Sequence, residues 1–141
     1  MKTLVSKSRI FAILILSVAA IGLTNCKKEK APTLKEEVVG NWEVKSFTED
    51  GVELMGSIVI SFTMEYDQYS GSNGDFFWQI NYGDGSSERV TGDYTVDLED
   101  KQIKLVKNDG TITMDLDVSG DRVEMEGIID GYRYVVKGKK H

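Results

Sequence analysis

Residues 111–118 read Thr-Ile-Thr-Met-Asp-Leu-Asp-Val, an unbroken alternation. Ile112, Met114, Leu116 and Val118 fall on one parity, and Thr111, Thr113, Asp115 and Asp117 on the other. A helix returns to the same face every third or fourth residue, and a strand every second, so this run is a half-buried β-strand. The same period continues downstream, where Val123, Met125 and Ile129 are set against Arg122, Glu124 and Glu126. Upstream, Asp75–Tyr82 (DFFWQINY) puts Phe76, Trp78, Ile80 and Tyr82 on one face.

Turn signals separate these runs. Asp-Gly pairs stand at 50–51, 84–85, 109–110 and 130–131, with Asp100-Lys101 and Gly120-Asp121 marking two more turns. Such pairs tolerate the positive φ of tight hairpins whose twist matches the flanking strands. The pattern predicts about eight strands, near 40–48, 53–63, 75–82, 88–97, 102–107, 111–118, 122–129 and 132–138. Short connections in the second half make sequence neighbours spatial neighbours, which is an up-and-down meander. The expected fold is therefore all-β, an eight-stranded antiparallel barrel, because closure removes exposed sheet edges. An open sheet folded into a sandwich is the alternative. Ahead of the first strand, Thr33 with Glu36 three residues on forms a capping-box pattern, so a short helical turn is expected there to plug one end.

Alternation assigns to the interior Trp42, Val44, Ile60, Phe62, Phe76, Trp78, Ile80, Val90, Tyr94, Val96, Ile103, Leu105, Ile112, Met114, Leu116, Val123, Met125, Tyr132 and Tyr134. Gly92 and Gly127 share that parity and are expected to leave space inside. An eight-stranded barrel is either filled by its side chains or left with room for one small ligand.

The first 25 residues have a different character. Lys2, Lys7 and Arg9 precede Ile10–Leu23, fourteen residues without a charge. That length fits the apolar region of a signal peptide and falls short of the roughly 20 residues a membrane-spanning helix needs. The sole cysteine of the chain, Cys26, follows directly in Leu23-Thr24-Asn25-Cys26. This tetrapeptide resembles a lipobox, the site where bacterial lipoproteins receive a diacylglycerol on the cysteine sulfur and are cut just before it. The resemblance implies a signal peptide over 1–25, a lipidated Cys26 and tether over 26–35, and a folded domain over 36–141. Lys27 after the cysteine favours the outer membrane of the cell envelope by the same resemblance. Each buried acyl methylene contributes about 0.8 kcal/mol, and more than one chain is needed for a stable anchor.

Lys2, Lys7 and Arg9 are the only charges in the first 25 residues, so the remaining 116 carry a formal charge of −9 against −6 for the whole chain. An acidic domain of this kind repels nucleic acid. One cysteine excludes a disulfide within the chain.

Gly40-Asn41-Trp42 opens the first strand after the helical turn, and Gly92-Asp93-Tyr94 begins the second half of the meander. With the order and length of the strands, these motifs resemble lipocalins and the lipocalin-like domains of bacteroidete-type lipoproteins, over about residues 34–138. The resemblance implies a barrel with Trp42 packed at its closed end and a basic residue of the last strand laid over the ring. Lys137 or Lys139 is expected in that place, since Arg133 lies at the other end of the strand. It also implies binding of a small apolar or amphipathic ligand, with Trp42, Phe62, Trp78, Tyr94, Met114 and Met125 as candidate contacts and access set by mouth loops near 49–57 and 64–74. The competing expectation is a filled scaffold whose surface docks a partner protein of the cell envelope through Tyr66, Tyr69 and Phe77.

No catalytic set is expected. His141 is the only histidine and ends the chain, which leaves no base for a Ser or Cys nucleophile and no zinc ligands. Gly71-Ser72-Asn73-Gly74 leads into a strand, not the helix that phosphate binding needs. Asp115, Asp117, Glu124 and Glu126 share an outward face and read as a solvated surface in preference to a calcium site. No cofactor and no metal are expected.

Overall fold

The computed structural model describes residues 30–141. The expected signal segment and Cys26 lie outside the described residues. After a short helix α1 (Leu34–Glu37) come β1 (Gly40–Glu49), β2 (Val52–Glu53), β3 (Val59–Tyr66), β4 (Gly74–Tyr82) and β5 (Ser87–Asp97). They are followed by β6 (Gln102–Lys107), β7 (Gly110–Ser119), β8 (Arg122–Ile129) and β9 (Tyr132–Lys140). From β3 to β9 each strand pairs antiparallel with the next. β1 pairs with β3 on one side and β9 on the other, Trp42 opposite Lys140 and Glu49 opposite Tyr134, which shuts the sheet. The eight long strands thus form a closed antiparallel barrel, and the two-residue β2 adds to the end of β1.

The hairpins follow from the Asp-Gly pairs. Asp50 and Gly51 have φ of 48° and 83°, and Asp130 and Gly131 have 53° and 86°. Two successive positive φ values are what a two-residue hairpin of matching twist requires. At the other end the Glu36 carboxylate accepts the Thr33 backbone N–H at 2.7 Å and closes the capping box of α1.

The strand expected over 53–63 is two strands. Leu54 O accepts the backbone N–H groups of Ser57, Ile58 and Val59, which turns the chain back on itself at Gly56. β3 then begins at Val59 and continues to Tyr66, three residues past the expected end. Its opening carries a β-bulge, with Val59 opposite Tyr82 and Ser61 opposite Asn81. The extra residue, Ile60, is 62 % exposed instead of interior, and Val59 takes the buried place. A second bulge, between Val44 and Ser46 of β1, shifts the phase so that Phe47 packs against the core. It is held by Glu53, whose carboxylate accepts the N–H groups of Phe47 at 2.8 Å and Met55 at 3.0 Å. Tyr132 also departs from expectation, being exposed next to the 130–131 turn where the wall ends.

Gly92 and Gly127 do not open the interior. A Cβ on Gly92 would stand 1.9 Å from the Val106 carbonyl oxygen, and one on Gly127 would stand 2.8 Å from that of Thr113. Neighbouring strands cross close over these positions, so the missing side chains serve the curvature that barrel closure demands. Gly74 is similar: it faces Tyr94 across the β4–β5 pair, and the Tyr94 ring lies over it.

The α1 end is solid. Trp42 donates its indole N–H to Val38 O at 2.7 Å and is 1 % exposed. The cation over its ring is Lys140, with Nζ 5.0 Å from the centroid and 3.2 Å from Glu37 O. The expected Lys137 and Lys139 point outward, toward Glu124 and Asp121. Inward parity on β9 runs through Val136 and Gly138, and therefore reaches Lys140. The loop 67–73 also lies at this end, because β3 finishes opposite Gly40, where β1 begins. It is not a mouth loop as expected. Asp67 O accepts the Tyr94 hydroxyl, and Tyr69 accepts the Val96 N–H at 2.6 Å.

Candidate functional site

Along each strand the interior changes from filled to hollow. On β4 the inward residues run Gly74, Phe76, Trp78, Ile80, and the last two border a cavity of about 380 Å³ that opens at the end opposite α1. On β3 the border falls between Phe62, which lines it, and Met64 and Tyr66, which lie beneath. On β7 it falls between Met114 and Leu116. The walls are Phe47, Val59, Phe62, Trp78, Ile80, Val90, Ile112, Met114, Ile129, Tyr134 and Val136. The rim is formed by Glu49, Leu54, Ile58, Tyr82, Glu88, Lys107 and Asp130.

Aromatic contacts stiffen one side of this wall. Phe47 meets Phe62 edge-on at 5.3 Å and stacks with Tyr134 at 5.6 Å, and Phe62 meets Trp78 edge-on at 5.5 Å. Such ring pairs contribute about 0.5–1.5 kcal/mol each beyond the area they bury.

Beneath the cavity sits one buried polar node. Trp78 donates its indole N–H to the Tyr66 hydroxyl at 2.9 Å, and Tyr66 in turn points at the Met125 sulfur, 3.4 Å away. Tyr66 is fully buried, and that burial holds its phenol well above the ordinary tyrosine range. It divides the hollow half from the solid half, since its ring also packs edge-on against Tyr94 at 5.1 Å.

At the rim two tyrosine hydroxyls hold two carboxylates. Tyr82 donates to Glu88 at 2.8 Å, and Tyr134 donates to Glu49. Burial and then the Glu88 bond push Tyr82 up to about 12. The Glu49 bond comes first for Tyr134, which is also pushed up to about 12.

Of the six residues expected to contact a ligand, Phe62, Trp78 and Met114 line the cavity together. Trp42, Tyr94 and Met125 lie in the solid half, Trp42 beneath Lys140, Tyr94 against Tyr66 and Tyr69, and Met125 against the Tyr66 hydroxyl. Tyr66 is no surface contact, and Tyr69 is packed on Tyr94 under Lys35, whose Nζ is 3.7 Å from its centroid. Phe77 is half-buried. Phe47, Val59 and the two rim glutamates were not readable as site residues. Two bulges set the phase of the first two, and only cross-strand register brings Glu49 to Tyr134.

The outward acids pair as the alternation implies, Asp117 opposite Glu124 and Asp115 opposite Glu126. Arg133 and Lys137 neutralise Glu126 and Glu124, and Gln102 donates to Asp115 at 3.0 Å.

No family model matches the chain, and no curated protein matches it. Solved structures do. A de novo designed fluorescence-activating β-barrel aligns with a TM-score of 0.57 at 20 % identity, over 78 % of this chain and 99 % of its own. A redesigned β-barrel bound to DFHBI aligns with a TM-score of 0.56 at 15 % identity, over 74 % of this chain and 99 % of its own. A further redesigned barrel reaches 0.58 at 18 % identity, over 80 % of this chain and 99 % of its own. At these identities the likeness is one of fold.

Proposed function

We propose that this chain is a carrier, a barrel held at the outer membrane through Cys26 that takes one small apolar or amphipathic molecule into its open end. One observation carries the reading: a cavity of about 380 Å³ whose walls are almost wholly apolar and whose polar groups gather at the rim. Pockets for small molecules have this anatomy, with apolar walls that desolvate the ligand and a few polar groups that orient it. The volume falls within the roughly 300–1,000 Å³ typical of such sites. A barrel of similar fold bound to DFHBI supports the idea that this architecture accommodates a small molecule. The lipobox-like Leu23-Thr24-Asn25-Cys26 supports the anchor. Binding is passive in this reading, and no residue has a catalytic role.

Native mass spectrometry of the protein extracted from its own host tests both parts. The expected spectrum has acyl mass on Cys26 and a second, non-covalent mass that leaves on denaturation. Acylated protein with no second mass refutes the carrier and favours a scaffold that docks an envelope protein through its outer surface. An unmodified Cys26 refutes the anchor.

A further inference from the structure

We infer that the molecule held in this cavity carries a positive charge at the mouth end of an apolar body. The inference rests on the carrier reading and narrows it to one class of ligand. Among the lining residues three are acids, Glu49, Glu88 and Asp130, and one is a base, Lys107. All four stand at the open end. Lys107 is already engaged, its Nζ 3.2 Å from an Asp109 carboxylate oxygen outside the lining. No lining cation is left over to receive an anionic head group.

Two of the acids are fixed in place. Glu49 accepts the Tyr134 hydroxyl and Glu88 accepts that of Tyr82, and both tyrosines themselves line the cavity. A carboxylate offers about four acceptor positions. One tyrosine bond therefore orients each glutamate without exhausting it, and both carboxylates stand at the entrance. Deeper in, Phe47, Phe62, Trp78 and the Tyr134 ring form an aromatic wall against which the apolar body packs. A fatty acid entering head-last leaves its carboxylate beside Glu49 and Glu88. An alkyl ammonium of equal length places its charge beside the same carboxylates.

Calorimetric titration with three probes sharing one tail, decyltrimethylammonium, decanol and decanoate, each below its micelle concentration, tests this. The expected order is cation first, with the alcohol at least tenfold weaker and decanoate weaker again. Glu49→Gln/Glu88→Gln preserves shape and the tyrosine bonds; it should weaken cation binding at least tenfold and leave decanol within twofold. Asp115→Asn/Asp117→Asn removes the same charge from the outer wall and should leave all three probes within twofold. Binding of decanol or decanoate as tight as that of the cation overturns the charge assignment while the carrier reading stands. Equal weakening by the outer-wall pair also overturns it, because the overall field of the protein would then be the cause. Failure of all three probes to bind defeats both readings.

Discussion

Tyr66→Phe removes one oxygen from the node beneath the cavity, and its cost can be worked from the bonds that oxygen makes. The hydroxyl accepts the Trp78 indole N–H at 2.9 Å and faces the thioether of Met125 at 3.4 Å. A thioether is a weak acceptor, so little is lost on that side. The Trp78 N–H is different: the residue is 5 % exposed, and its indole hydrogen bond goes to the Tyr66 hydroxyl. A buried donor left unpaired costs about 1–3 kcal/mol. In a domain of this size each kcal/mol lowers Tm by roughly 3–6 °C. Urea unfolding followed by far-UV circular dichroism reads the loss, and a double-mutant cycle isolates its cause. In a Trp78→Phe background there is no N–H to strand, so adding Tyr66→Phe should cost less than about 0.5 kcal/mol there. An equal cost in both backgrounds refutes the reasoning and makes packing the source.

Three further outcomes are expected. Gly92→Ala should destabilise by about 3 kcal/mol or more, because its Cβ would meet the Val106 carbonyl at 1.9 Å and main chain must move; Thr91→Ala beside it should cost little, and equal urea midpoints for the two would contradict the curvature argument. Stability should hold up to about pH 10 and fall between about 10 and 12. Tyr82 and Tyr134 keep their protons to about 12 in the fold but lose them near 10 when unfolded, so rising pH favours the unfolded chain. Urea midpoints across that range check the sign, and a midpoint unchanged at pH 12 contradicts it. Cys26→Ser should release the protein from membranes in a sedimentation assay, and complete retention in the pellet would refute the tether.

Alternation made the barrel legible where strands are regular. From Gln102 onward expected and observed strands agree within about two residues, because each run is bounded by a turn whose chemistry is local. The first half was harder to read because two bulges break the period. Nothing in Val-Ile-Ser-Phe announces that Ile60 is the supernumerary residue, since Val59 and Ile60 are equally apolar and the choice depends on Tyr82 and Asn81 opposite. The same holds for Phe47, whose freed N–H finds Glu53 six residues on. Seven of the eleven wall residues, Phe62, Trp78, Ile80, Val90, Ile112, Met114 and Tyr134, were legible as inward side chains. Which of these border empty space depends on depth along the barrel axis, and parity carries no information about depth. Trp42 and Trp78 share parity and chemistry, yet one is capped by Lys140 and the other faces the hollow end.

The β1–β9 pairing has a consequence for how the chain acquires its shape. It joins Trp42 to Lys140, so the ring is sealed by residues almost a hundred positions apart, and long-range pairing of this kind slows folding toward milliseconds to seconds. Hairpins from β3 through β8 can form in order as they emerge from the ribosome. The first strand has to wait, one flank bare, until the last has been delivered. During that interval the nascent polypeptide is an unfinished ribbon, pliable enough to be threaded and vulnerable to sticking to its neighbours.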